Sequence, residues 1–153
     1  MKDLNDKVVV VTGAGSGIGR ALAQKFNLAG AKLALIDLDE NGLRNTRALL
    51  EGEENVSLDT ADVTDQPAML AIAEDVLAKF GRVDVLINNA GITLTPRSFN
   101  EISEEQFRKV VDVNMWGTYN CTRAFLPILE TQDEASLVNV SSLAGLIGLY
   151  GYS

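Results

Sequence analysis

The sequence predicts an α/β fold, a doubly wound parallel sheet with helices on both faces. Two observations predict it. Short apolar runs alternate strictly with segments of helical period. The most hydrophobic runs, VVVV at Val8–Val11 and VDVLI at Val83–Ile87, read as strands buried on both faces, as parallel strands are. Strict alternation implies right-handed crossovers. Sheets of this kind bind ligands beyond the carboxyl ends of their strands, where the strand order reverses.

The elements follow in order. Val8–Val11 is the first strand. Ile18–Ala29 carries apolar residues at 18, 21, 22, 26 and 29 and stops at Gly30, so it reads as a helix. Lys32–Ile36 is the second strand, Glu40–Leu50 a helix on a sparser pattern, and Val56–Ala61 the third strand. Asp65–Phe80 opens on a capping Asp65 and Pro67, places Met69, Ile72, Ala73, Val76 and Phe80 on one face, and ends at Gly81. After the fourth strand, Ser103-Glu-Glu-Gln106 is a capping box that opens a long helix to about Leu129. Phe107, Val111, Asn114, Thr118, Cys121 and Phe125 form one stripe on it, predicted to face the core. Ala135–Val140 is the fifth strand.

Composition bounds the function. A chain of 153 residues suits one domain over residues 1–153, and a domain this size buries about 70% of its unfolded surface. The net charge of −8 argues against nucleic-acid or anionic-membrane partners, which draw on clustered Lys and Arg. No run is long enough to span a membrane, and MKDLNDK leads into a strand with no signal-peptide core. The single Cys121 cannot form an internal disulfide, which fits a reducing cytoplasm. With no histidine, His-based triads and His-ligated metals are excluded, and no metal site is expected.

After the first strand comes Thr12-Gly-Ala-Gly-Ser-Gly-Ile-Gly19. A tight strand-to-helix turn needs positive φ and close backbone approach, which Gly13, Gly17 and Gly19 supply. The helix that follows aims free N–H groups and about half a positive charge at the turn, which suits a pyrophosphate. Such turns also occur without a ligand. Here the turn follows a strand, opens a helix, and has an acid about twenty positions on, the pattern of a dinucleotide site. That acid, Asp37, ends the second strand and can accept hydrogen bonds from the adenosine ribose diol. A 2′-phosphate there would face a like charge ~4 Å away, a cost of about 4 kcal/mol near a surface before screening. The residues therefore favour NAD over NADP.

At this point the sequence resembles the short-chain dehydrogenase/reductase family. Thr12–Gly19 matches that family's TGxxxGxG turn, and Asn88-Asn-Ala-Gly91 its NNAG motif. Asp62, in ADVTD, falls where family members contact adenine, with Val63 beside it, and Val140-Ser-Ser-Leu-Ala-Gly145 resembles the segment with the catalytic serine. The resemblance implies a Rossmann-type fold and hydride transfer between NAD(H) and a carbonyl or secondary alcohol, in a homo-oligomer. It implies cofactor contacts from Thr12, Gly13, Ser16, Gly17, Ile18, Gly19, Asp37, Asp62, Val63, Asn89, Ala90 and Gly91. It assigns Ser142 the hydrogen bond to the substrate oxygen, and Asn114 a water in the proton relay. Asn88 and Gly91 also read as structural, and Cys121 as a small core hydrophobe.

The family's proton donor is a tyrosine followed four residues later by a lysine. Spacing from Ser142 puts them at positions 155 and 159, past Ser153. Tyr150 and Tyr152 stand at the wrong spacing. The expectation is a sheet truncated after its fifth strand, the N-terminal cofactor-binding part of an oxidoreductase, inactive by itself. The alternatives are a non-catalytic dinucleotide-binding module and a methyltransferase, which the NNAG motif and the Ser142 segment disfavour. The substrate itself is not legible.

Overall fold

A computed structural model describes residues 3–145 and 147. Its five strands are β1 (Val8–Thr12), β2 (Lys32–Asp37), β3 (Val56–Thr60), β4 (Val85–Asn88) and β5 (Ser136–Asn139). They form one parallel sheet in the order β3-β2-β1-β4-β5. The order reverses between β1 and β4, so the switch point lies above Thr12 and Asn88. Five helices connect the strands: α1 (Gly17–Leu28), α2 (Glu40–Arg47), α3 (Gln66–Phe80), α4 (Glu104–Val111) and α5 (Thr118–Leu129). Tyr150 and Tyr152 lie outside the described residues.

The apolar runs do what their composition dictates. Val8 and Val10 point into a core shared with Met69, Val76 and Phe125, while Val9 and Val11 point into a second core with Leu33, Leu35 and Leu43. Every residue of β1 is buried, because helices cover both faces. The outer strand β3 shows the contrast: Val56 is buried, Leu58 is 37% exposed, and Ser57 and Asp59 alternate with them. α3 carries the expected signals, with Asp65 Oδ1 accepting from the Ala68 N–H at 3.0 Å and Gly81 in the left-handed region at φ 75°. Among the described residues no helix is long and apolar enough to cross a membrane.

The long helix departs from its predicted phase. α4 and α5 are joined by a π-helical turn over Asp112–Gly117. A π-turn takes in one extra residue, which rotates everything beyond it by about 100°. The stripe breaks there: Cys121 and Phe125 are 1% and 0% exposed, but Phe107 is 54% exposed on an α4 that buries none of its residues, and Asn114 is exposed too. Asn114 does not sit on a core-facing seam, as uninterrupted 3.6-residue periodicity predicts. Gly117 lets the turn lie close to the segment after β3, since a Cβ there would stand 2.5 Å from Val63 Cγ2.

At the opposite end of the sheet from the switch point, the fully buried Asp84 ties strands together. Its Oδ2 accepts from the Val8 N–H at 2.9 Å and from Arg82 Nε at 2.8 Å, and Lys7 Nζ stands 3.4 Å from Oδ1. Burial alone would raise its pKa. The hydrogen bonds from Arg82 and Val8, with the charges of Arg82 and Lys7, outweigh burial and hold it below the usual carboxylate range. A depressed folded-state pKa means the stabilisation is fully present above the unfolded value near 4 and is lost as pH falls through the folded value. Asp84→Ala leaves the Val8 N–H unsatisfied and should cost about 2 kcal/mol at neutral pH. Chemical denaturation at neutral and acid pH checks it: the gap between wild type and variant should shrink on acidification, and a constant gap would refute the charge-based account.

Candidate functional site

The carboxyl ends of β1, β2 and β4 open on a cleft of about 490 Å³. Gly13, Ser16, Gly17 and Ile18 form its floor, from the turn between β1 and α1. Asp37 and Leu38 border it at the end of β2, Asp62 and Val63 after β3, and Asn89, Ala90 and Gly91 after β4. Lys109 and Val113 of the long helix close the remaining side, and Lys109 is the one cation among the described residues that line the cleft. A larger, shallower groove of about 600 Å³ runs beside it and shares Asp62, Lys109 and Val113. That groove has charged walls from α4 but neither the glycine turn nor Asp37, so the chemistry centres on the smaller cleft.

Why the turn takes this shape follows from its glycines. Gly13 has φ 66°, and a Cβ there would lie 2.9 Å from Ala90 Cα. A Cβ on Gly19 would stand 2.1 Å from the Gly13 carbonyl oxygen, so α1 starts tightly over the turn only because position 19 has no side chain. Gly17 is different: its φ is 47°, and nothing lies within 4 Å of where its Cβ would point.

Among the described residues, no side chain caps the first turn of α1. Ser16 at the N-cap makes no side-chain cap hydrogen bond, and no acidic residue sits in that turn. The orphan N–H groups of a helix start, a free serine hydroxyl and a bare glycine face together make an anion cradle. These residues fit the pyrophosphate of a dinucleotide.

Asp37, half-buried at the end of β2, is held by two backbone groups. Its Oδ2 accepts from the Gly15 N–H at 2.7 Å and its Oδ1 from the Asp39 N–H at 2.9 Å. A carboxylate has about four acceptor positions, so two remain for a ligand. Asp62 lines the cleft while its Oδ1 also caps its own turn, accepting from the Thr64 N–H at 2.9 Å.

Of the other expected site residues, Asn89 lines the cleft and also braces it, while Thr12, Asn88, Asn114 and Ser142 lie outside its lining. Thr12 is 1% exposed, and its Oγ1 accepts from the N–H groups of Asn89 and Ala90, both at 3.0 Å. Asn89 Nδ2 donates back to the Thr12 and Gly13 carbonyls at 2.9 and 3.2 Å. Together they weld β4 to the glycine turn across the switch point. Asn88 donates to Thr122 Oγ1 and Asn139 Oδ1, a structural tie to α5 and β5. Asn114 Oδ1 accepts from the Ile92 N–H at 2.8 Å and its Nδ2 donates to the Ile92 carbonyl at 2.9 Å. It thus pairs with one residue like a strand neighbour, and Gly91 makes room, since a Cβ there would approach Asn114 Oδ1 to 3.3 Å. Ser142 is exposed, outside the cleft lining, and its Oγ accepts from the Ala144 N–H at 3.2 Å. Cys121 is a core residue: burial pushes its thiol up to about 12, leaving it inert.

Comparison with known proteins agrees with this architecture. The sequence profile of the family described as short chain dehydrogenase matches residues 7–153. SadH of Mycobacterium tuberculosis is 42% identical over 157 residues, spanning 100% of this chain and 55% of that protein. The crystal structure of a levodione reductase superposes with a TM-score of 0.91 at 35% identity, covering 98% of this chain and 59% of that one. An NAD+-bound xylitol dehydrogenase gives 0.91 at 29% identity, with 99% and 58% covered. The chain spans about half the length of the curated relatives it matches.

Proposed function

The chain belongs to the short-chain dehydrogenase family, and from that premise we propose that it is the cofactor-binding part of an oxidoreductase. The reaction is hydride transfer between NAD(H) and a carbonyl or secondary alcohol of a small molecule. The observation that carries this reading is the uncapped start of α1 opening on a cleft whose ribose side is held by Asp37. In it, Ser16, Gly17 and Ile18 would take the pyrophosphate, Asp37 the ribose diol, Asp62 and Val63 the adenine, and Ala90 and Gly91 the central part of the cofactor. When bound, the nicotinamide supplies or accepts the hydride. Thr12 and Gly19 keep the turn in shape from behind, while Gly13 and Asn89 both brace it and line the cleft.

Ser142 is assigned the hydrogen bond to the substrate oxygen, and Asn114 the loop at Ile92 with the relay water beside it. The same reading makes the full-length protein a cytoplasmic homo-oligomer with no resident metal. The test uses the full-length protein with NADH deuterated at the transferred position and a panel of ketones and acyl thioesters. Mass spectrometry should find deuterium on the carbinol carbon of at least one product. NADH binding with no deuterium transfer to any of them would favour the non-catalytic binding module instead.

A further inference from the structure

The glycine turn is gripped from behind by α2, a contact with no counterpart in the motif. Thr46, fully buried on α2, donates from Oγ1 to the Ala14 carbonyl at 2.8 Å. The same oxygen accepts from Arg20 Nε at 3.0 Å, and the Arg20 guanidinium also donates to the Gly15 carbonyl. Gly42, one turn before Thr46, lets α2 come close: a Cβ there would stand 2.9 Å from the Gly15 carbonyl oxygen.

Peptide planarity turns this grip into a statement about the ligand. The Ala14 carbonyl and the Gly15 N–H belong to one rigid trans peptide and point in opposite directions. By holding the carbonyl, Thr46 aims the N–H, which donates to Asp37 Oδ2 at 2.7 Å. That bond fixes which two acceptor positions of the carboxylate stay open. Arg20 does the same for the next peptide, whose N–H belongs to Ser16 on the cleft floor. Arg20 is thereby committed to the turn's own backbone and to Thr46, not to a phosphate.

We infer that Thr46 and Arg20 are positioning residues for cofactor choice: by fixing the Ala14–Gly15–Ser16 backbone they hold Asp37 in the orientation that accepts a ribose diol and rejects a 2′-phosphate. The inference rests on the proposed NAD(H) site. Thr46→Val keeps the side chain's volume but drops the grip on the Ala14 carbonyl.

The experiment titrates the full-length wild type, Thr46→Val, Thr46→Ser and Arg20→Met with NADH and with NADPH by calorimetry, alongside thermal unfolding. Thr46→Val should weaken NADH about tenfold, the worth of one well-placed hydrogen bond, and leave NADPH nearly unchanged. Arg20→Met should shift the ratio the same way, and Thr46→Ser, which restores the hydroxyl, should restore the ratio. If a folded Thr46→Val weakened both cofactors by one common factor, or neither, the grip would be merely structural and the inference overturned. A wild type that does not bind NADH would overturn the proposed site along with it.

Discussion

Gly19→Ala is expected to weaken NADH binding at least a hundredfold, about 2.7 kcal/mol, and to lower the unfolding temperature. The added methyl would lie 2.1 Å from the Gly13 carbonyl oxygen, 2.7 Å from its carbon and 2.8 Å from Asn89 Nδ2. Two of these are backbone atoms, which cannot swing aside. The third belongs to the amide that welds β4 to the turn. Relief requires moving α1 off the turn, and with it the N–H groups that define the anion cradle. Overpacking of this kind costs about 1–3 kcal/mol of stability. Gly17→Ala is the comparison for stability alone, since only its left-handed φ of 47° opposes the methyl within the chain, at about 1–2 kcal/mol, while the methyl would stand in the anion cradle itself. Calorimetric titration and thermal unfolding of both variants check the ranking, and undiminished NADH affinity in Gly19→Ala would refute the steric account.

In the full-length protein, Ser142→Ala should lower turnover about 10²- to 10³-fold while NADH affinity stays nearly unchanged. Among the described residues Ser142 Oγ acts only as acceptor, toward the Ala144 N–H, which leaves its hydroxyl hydrogen for a substrate oxygen. The residue lies outside the lining of the cofactor cleft, so cofactor binding should not register its loss. Single-turnover kinetics with saturating NADH separate the two quantities. Wild-type turnover in the variant would end the role given to Ser142.

Much of this was readable in the sequence because its signals are local. VVVV and VDVLI fill two cores at once, and Asp65, Pro67 and Gly81 bound α3 where the spacing puts them. The glycine turn, Asp37 and Asp62 converge on one cleft for the same reason: each stands just after a strand, and a parallel sheet brings those ends together. The phase of the long helix was not readable. Nothing in DVNMWG announces a π-turn, and a periodic count carries Phe107 and Asn114 into the core although α4 buries none of its residues and Asn114 lies in the turn itself.

Long-range partnerships were hidden too. Thr46 reads as an ordinary polar residue of a sparse helix, and only the docking of α2 on the turn puts it against Ala14 and Arg20. Gly42 and Thr46, four apart on one face, were the available sign of that close approach. Asp84 sits inside an apolar strand pattern, and its tie to Lys7, Val8 and Arg82 needs β1 and β4 side by side.

Parallel calorimetric titration of the full-length protein with NADH and NADPH is the decisive check on the proposal that Asp37 and the glycine turn form an NAD(H) site. NADH should bind at least tenfold tighter, about 1.4 kcal/mol, with the gap narrowed in Asp37→Ala chiefly through weaker NADH binding. Equal affinities, or tighter binding of NADPH, would contradict it.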